Sequence, residues 1–379
     1  MKFETTRQGA LSKLDHFIEN EIANYNFKRN FDLGPKNREN VSCLSPYITH
    51  RLINEYETVK IVLKKYPYQK VEKYIQEVFW RVYWKGWLEL RPKVWTDFVE
   101  DLKIKEDDEK LYQAKNGQTE IDCFNDWVKE LKEFNYLHNH TRMWFASIWI
   151  FTLKLPWQKG AEFFLKYLYD GDAASNTLSW RWVAGIQTKG KNYVAQSWNI
   201  EKFTNNRYKN VKLSDNAVSL VDKREYNLNQ IENTNNNSSS KNLIFFENDL
   251  NLEKFNLNKY QNIYSILLDN EYRKIKLDGK VLEFKKKLIE NTIKTFPKDV
   301  KFISDSNFID LFREKKDFDV IYPSVGENKS FLNNLRKKYD LKINFLKDDR
   351  DIFCWRFSNK GYFNFKSNIP KIITDFKLS

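Results

Sequence analysis

The residues best placed to do chemistry fall on two stretches. In the first, Glu77, Trp80, Arg81 and Trp84 recur at i, i+3, i+4 and i+7 within KVEKYIQEVFWRVYWKGWLE, a strongly helical run over residues 70–89, so all four share one face. A carboxyl beside indoles can wall a pocket. The same stripe can be core with a Glu77–Arg81 pair, and on spacing alone the core reading leads. The second stretch, Tyr136–Gly190, holds five of the chain's twelve tryptophans (Trp144, Trp149, Trp157, Trp180 and Trp182) and the acidic turn Asp170-Gly171-Asp172, with Asn176 just beyond. If a helix follows that turn, Asp172 or Ser175 caps it, and Asn176 and Trp180 share its face at i, i+4. A smaller signal is Ser45-Pro46, a cap followed by a residue suited to the first helical position. Such a start offers free N–H groups to a phosphate, and an ordinary cap explains it as well.

The charge is not spread evenly. The chain has 379 residues and a net charge of +13. Residues 1–140 carry 23 basic and 23 acidic side chains, whereas residues 141–210 carry 10 and 4. The excess in the first half therefore lies in and just after the Trp-rich stretch, which suits an acidic partner, nucleic acid first and an anionic membrane surface second. Cys43, Cys123 and Cys354 are widely separated and form neither a disulfide framework nor a metal pattern, and the four histidines lack metal-ligand spacing. No signal peptide opens the chain and no apolar run reaches a membrane span, so the expectation is a soluble cytoplasmic protein without a metal.

The length predicts two domains. A helix is predicted over residues 5–30 and another over 70–89; Lys103–Lys110 reads as a solvated charged run, and Pro156 splits the Trp-rich stretch into two helices. Asn227–Asn242 is Asn/Ser-rich without apolar periodicity and reads as a linker. Beyond it, apolar runs at Leu243–Phe246, Ile263–Leu268, Val300–Ile303, Val320–Tyr322 and Ile343–Leu346 alternate with helical patterns at Leu282–Thr295, Asn307–Lys315 and Lys329–Tyr339. That alternation predicts a parallel α/β sheet, with no P-loop or GxGxxG of its own. The aromatic tail Ile352–Lys371 is predicted to pack back on a domain.

Residues 7–208 resemble the flavin-binding helical domain of the DNA photolyase and cryptochrome family. The resemblance is carried by His138-Asn139-His140-Thr141-Arg142-Met143, by Asp170-Gly171-Asp172-Ala173-Ala174-Ser175-Asn176 and by Trp180-Arg181-Trp182, in family order and at family spacing. It implies a helical FAD-binding domain over 1–210, a linker over 211–242 and a smaller α/β, Rossmann-like domain over 243–379. Family members usually place the α/β domain first, so the order here is permuted; Phe245-Phe246-Glu247-Asn248-Asp249-Leu250 is similar to that domain's opening strand.

The resemblance further implies a non-covalent FAD. Tyr25, Ser42 and Ser45 would sit by its phosphates and ribose; Tyr74, Arg81, Arg142, Asp170 and Asp172 would line its cavity, with Arg142 paired to Asp170; Asn176 would face flavin N5, where an amide supports the reduced states. Val41 stands where the family usually has a hydroxyl. Glu77, Trp80, Asn139, His140, Met143 and Trp182 match the cavity for a cyclobutane pyrimidine dimer flipped out of DNA. His140 replaces a family arginine, which makes a phosphate contact weaker or pH-sensitive. Glu77, buried among aromatics, would have its pKa raised and donate a hydrogen bond to the dimer. Trp180 and Trp157 match the inner members of the tryptophan electron-transfer chain, with Trp84, Trp95, Trp144 or Trp149 as substitutes for the outer one. The implied protein is a monomeric light-driven enzyme, a deoxyribodipyrimidine photo-lyase acting on UV-damaged DNA, with any second antenna chromophore unspecified. The alternatives are a cryptochrome-type photoreceptor, a repair enzyme for the (6-4) lesion and a flavin-free nucleic-acid binder.

Overall fold

The computed structural model describes residues 2–103, 108–231, 238–304 and 306–379. Half of the charged run expected at Lys103–Lys110, residues 104–107, lies outside these residues. The first half is helical: α1 (Arg7–Asn20), α2 (Tyr25–Lys28), α3 (Ser45–Thr49), α4 (Glu55–Lys65), α5 (Tyr68–Glu89), α6 (Lys93–Asp101), α7 (Asp108–Asn116), α8 (Asp122–Phe134), α9 (Asn139–Ser147), α10 (Trp157–Tyr167), α11 (Ala173–Val183) and α12 (Ser197–Phe203). The helix expected over 5–30 is broken, because Glu21 leaves helical geometry (φ −129°, ψ −20°) and a 3-10 turn and α2 follow. A π-helical turn, Ile148–Thr152, ends α9 before Pro156 opens α10.

Three local devices fix the elements that matter later. The carboxylate of Asp172 caps α11 by accepting from the N–H of Ala174 (3.0 Å) and Ser175 (3.1 Å), as its place before the helix predicts. His138 caps α9, its Nδ1 accepting from the N–H of His140 at 3.2 Å. Gly160 in α10 lets the Trp180 ring lie against the helix backbone, since a Cβ there would meet the indole at 2.3 Å. Ser45, by contrast, is not a cap. It is the first helical residue, the cap position is Leu44 without a side-chain bond, and the Ser45 hydroxyl faces the Asp170 carboxylate.

A five-stranded parallel sheet follows, with β1 (Asn242–Phe246), β2 (Asn262–Ile266), β3 (Lys301–Ile303), β4 (Asp317–Ile321) and β5 (Lys342–Leu346) in the order β3-β2-β1-β4-β5. Its helices are α13 (Gly279–Ile293), α14 (Phe308–Glu314) and α15 (Glu327–Tyr339). Four strands sit on the apolar runs that predict them, while β4 begins three residues before its run at Val320–Tyr322; β1, β2 and β4 are buried except at their first residues, as a parallel sheet covered on both faces requires. The chain is thus a helical body followed by a smaller parallel α/β body.

The two bodies interlock. The last helices, α16 (Asp349–Trp355), α17 (Tyr362–Ser367) and α18 (Ile369–Asp375), leave the sheet and return to α5. Gly86 of α5 is the crossing point: a Cβ there would lie 2.9 Å from the Trp355 Cα and 2.6 Å from the Ser358 Oγ. Beneath the crossing, buried Arg51 faces Asp351 (2.7 Å), Asp249 (3.3 Å) and Glu55 (3.5 Å). Just past β1, buried Glu247 receives Arg273 and Lys285, each at 3.3 Å, and Asn328 at 3.1 Å. His50 bridges the bodies, Nδ1 lying 2.8 Å from the Glu247 carbonyl and Nε2 3.1 Å from that of Tyr169. Between the helical body and β1, residues 211–231 have no helix or strand yet are tied down: Arg181 pairs with Asp222 at 2.9 Å, Arg224 with Asp101 at 2.8 Å, and the Leu220 N–H donates to the Ala184 carbonyl at 2.9 Å.

Candidate functional site

A cavity of about 680 Å³ opens in the helical body, walled by α5, α9, α11, the segment 41–48 and the end of α2. Of the residues matched to a flavin site, Tyr25, Ser42, Ser45, Tyr74, Arg81, Arg142, Asp170 and Asn176 line it. Of those matched to a lesion site, Glu77, Trp80, Asn139, His140, Met143 and Trp182 line it too, together with Trp180. Two predicted residues do not. Asp172 is turned into the α11 cap and takes Arg81 Nη1 at 3.1 Å, so it holds the wall rather than forming it. Trp157 stacks on Phe98 (5.5 Å) with the Arg181 guanidinium 6.0 Å over its ring.

The wall is polar and under-satisfied. Asp170 is buried and paired with Arg142 at 2.9 Å, but neither of its oxygens has a well-directed hydrogen bond in the static geometry. Tyr74 Oη, His138 Nε2, Ser175 Oγ and Trp180 Nε1 are likewise buried, unpartnered and on the cavity wall. Buried polar groups are normally bonded, so such a cluster marks a place where something else supplies partners. Burial pushes the Asp170 carboxyl up, yet Arg142, Ser45 and Arg81 together outweigh it and hold it below its ordinary value, as a carboxylate. Burial raises the Tyr74 phenol to about 12, keeping it a donor. Asn176 is anchored by its amide N–H to the Ala161 carbonyl (2.9 Å), which frees its oxygen.

One expectation is corrected here. Glu77 is not an isolated acid among aromatics: Arg29 approaches it at 3.1 Å and Lys73 at 3.2 Å, so it is half of a charge-assisted cluster. His140, where a weaker or pH-sensitive phosphate contact is expected, is held in the wall. Its ring stacks on Trp144 at 4.2 Å, Nδ1 lies 3.0 Å from the Asn30 carbonyl, and burial moves its pKa below the ordinary value. Sequence reasoning missed Arg29, because nothing local points to its ion pair with Glu77, 48 positions further along the chain.

The ring contacts redraw the tryptophan path. Trp180 has Phe145, Trp149 and Phe164 as ring neighbours among the described residues, with Trp149 at 6.2 Å and 85°. Trp84 lies beside Trp80 (5.2 Å), Trp95 beside Phe98 (5.6 Å), and Trp144 between His140 and Trp127 (5.7 Å). Among the described residues no group of His, Cys, Asp and Glu is arranged to hold a metal, and no helix is long and apolar enough to cross a membrane.

Residues 74–217 match the FAD binding domain of DNA photolyase. The chain is similar to proteins named deoxyribodipyrimidine photo-lyase: 30% identical over 191 residues to that of Buchnera aphidicola subsp. Baizongia pistaciae, covering 48% of this chain and 39% of the relative, and 31% identical over 185 residues to that of Agrobacterium fabrum, covering 47% and 38%. It thus spans less than half the length of the relatives it matches. A bacterial class III photolyase from Agrobacterium tumefaciens aligns over 53% of this chain and 43% of its own at 26% identity, with a TM-score of 0.46. The sequence match falls on α5, α9, α10 and α11, the helices that wall the cavity, so it is the helical body that is similar to the FAD binding domain of DNA photolyase.

Proposed function

We propose that the chain is a light-driven DNA repair enzyme that holds FAD in this cavity and splits cyclobutane pyrimidine dimers. The observation that carries the proposal is that one cavity gathers two sets of side chains: Arg81, Arg142, Asp170 and Asn176, matched to a flavin site, and Glu77, Trp80, Asn139, Met143 and Trp182, matched to a lesion site. The cavity suits the cofactor. Its volume falls within the roughly 300–1,000 Å³ of small-molecule sites, and the unpartnered Ser175 and Tyr74 oxygens, with the Arg142–Asp170 pair beside them, offer the polar contacts a flavin with its ribityl and phosphate groups needs. When bound and reduced, FAD supplies a one-electron donor under light.

The residues then divide the work. Arg142 fixes Asp170, and Arg81, held by Asp172, places a second cation on the wall. Asn176, locked by Ala161, presents its amide oxygen in a fixed direction. Trp80 and Trp182 give apolar faces on which a flipped base rests in place of its stacked neighbours. The Glu77–Arg29 pair supplies a charge-assisted hydrogen-bonding edge toward the base carbonyls, with the cation as donor. Trp180, with Trp149 against it, begins an aromatic route outward, and Trp157 stands at the first turn of α10. Residues 1–210 and 243–379 act as the two domains, joined through 211–242 in an order opposite to the usual one.

The test is repair of a defined thymine-dimer oligonucleotide by FAD-loaded, reduced protein in blue light and in darkness. Light-dependent recovery of thymines is expected. Normal FAD binding without repair would move the reading to a photoreceptor or another lesion, and a colourless protein that still binds DNA would remove the flavin.

A further inference from the structure

The chain beyond the sheet carries a residue that nothing above assigns. Tyr362, at the start of α17, lies face to face on the indole of Trp80, with ring centroids 3.4 Å apart and planes 11° from parallel. Side-chain rings in proteins more often meet at about 4.5–7 Å, offset or edge on. Trp80 lines the cavity and Tyr362 does not, so the tyrosine covers the indole from outside the pocket. Tyr362 is itself held on three sides. Its phenol donates to the Gln76 carbonyl of α5 at 2.7 Å, its ring meets Tyr83 edge on at 5.3 Å, and Phe365 lies parallel at 6.2 Å. The chain just before it is pinned to the same helix and its end: Tyr83 donates to the Lys360 carbonyl at 3.0 Å and Arg91 to that of Asn359 at 2.8 Å. Burial first, and the Glu77 carboxylate second, keep the phenol protonated and donating.

We propose that Tyr362 is a positioning residue of the cavity, fixing the plane of Trp80 so that a flipped base meets a preset indole face. Among the described residues, Trp80's other ring neighbours, Tyr83 and Trp84, are on its own helix and meet it tilted or edge on, so neither fixes the plane as a parallel ring does. Pre-orienting a stacking ring removes rotamer freedom that lesion binding would otherwise have to freeze. The tail after the α/β body is thereby part of the lesion pocket. This inference rests on the reading of Trp80 as a lesion contact.

The experiment uses the full-length, FAD-loaded protein with Tyr362→Met, which keeps the bulk but not the ring, and Tyr362→Phe, which keeps the ring but not the hydroxyl. Tyr362→Met is expected to weaken binding of a thymine-dimer oligonucleotide about 5-fold while leaving undamaged DNA within about 2-fold, and Tyr362→Phe to stay near the parent. In a Trp80→Ala background, Tyr362→Met should add nothing, because its effect passes through that indole. The fluorine resonance of Trp80, labelled as 5-fluorotryptophan, should shift in Tyr362→Met and not in Tyr362→Phe. Equal losses for damaged and undamaged DNA, an additive double variant or an unmoved Trp80 resonance would each overturn the proposal. So would unfolding of Tyr362→Phe, which would make the residue a staple of the tail alone. If the parent protein shows no preference for the dimer, the lesion reading itself fails, and the Trp80 resonance alone then decides whether Tyr362 positions the indole.

Discussion

The cavity in the helical body and the junction between the bodies are both lined by buried charge, and they handle it in opposite ways. At the junction Arg51 meets three carboxylates, and Glu247 meets two cations and an amide. The space left there, at the carboxyl ends of β1 and β4, is about 100 Å³. Open α/β sheets commonly bind ligands at such a switch point; here the place is filled by side chains compensating one another. In the cavity, about 680 Å³ remains open and buried oxygens and nitrogens lack partners. The difference separates charge that builds the protein from charge that waits for something to bind.

Breaking each region should therefore give a different phenotype. The largest effect is expected at the junction. Arg51→Met leaves Asp249, Asp351 and Glu55 buried without their common cation, and loss of one partner of a buried ion pair costs about 3–5 kcal/mol. Urea denaturation should show the midpoint falling accordingly. An unchanged midpoint would mean the junction is not what holds the bodies together.

In the cavity, Asp170→Asn should instead spare stability and release cofactor. A lost bond to a charged group, about 1.5–3 kcal/mol, weakens FAD by roughly 10- to 100-fold. Retained flavin absorbance after gel filtration, at parent level, would argue that Asp170 does not face the ligand.

Acid should distinguish the regions next. Burial would push Glu247 and Glu55 up, but Lys285 and Arg273 for the first, and Lys85 and Arg51 for the second, hold each carboxyl down to about 2 from an ordinary 4.5. A depressed carboxyl stabilises the fold above its ordinary value, and that stability is lost as pH falls through the folded value. Unfolding free energy should therefore drop between about pH 4.5 and 2. Glu247→Gln should flatten part of that slope; an unaltered slope would point to other carboxylates.

Glu77→Gln should lower repair yield about tenfold while FAD stays bound, by weakening the clasp on Arg29. Full repair would sink that role. The smallest effect belongs to Lys73→Gln, which removes one partly exposed i, i+4 pair worth about 0.3–0.5 kcal/mol and should leave both flavin and fold intact.

Local sequence made much of this visible. The α5 face, the Asp172 cap, the break at Pro156 and the five strands follow from periodicity, capping chemistry and apolar runs, all of which act within a few residues. What stayed hidden depends on distant partners. Glu77 looks like an acid among indoles until the end of α2 brings Arg29 to it. Residues around Asp222 and Arg224 have no apolar period, yet they are anchored by ion pairs to α11 and α6 that composition does not reveal. Trp157 and Trp180 satisfy a spacing, but which rings touch is set by the packing of α10 against α11, where the bare face of Gly160 draws Trp180 toward Trp149.

The return of α16–α18 to α5 also has a meaning in time. A ribosome adds about 5–20 residues per second, so the roughly 275 residues between Glu89 and Phe365 take on the order of 14–55 s to make. Throughout that interval the outer side of α5, with Phe79, Trp80 and Tyr83, has been synthesised but lacks Trp355, Tyr362 and Phe365 to cover it. The helix at the centre of the cavity is therefore among the earlier segments made and among the last to be finished, and a chain stalled after β5 would display a bare aromatic strip to any chaperone or neighbouring nascent chain within reach.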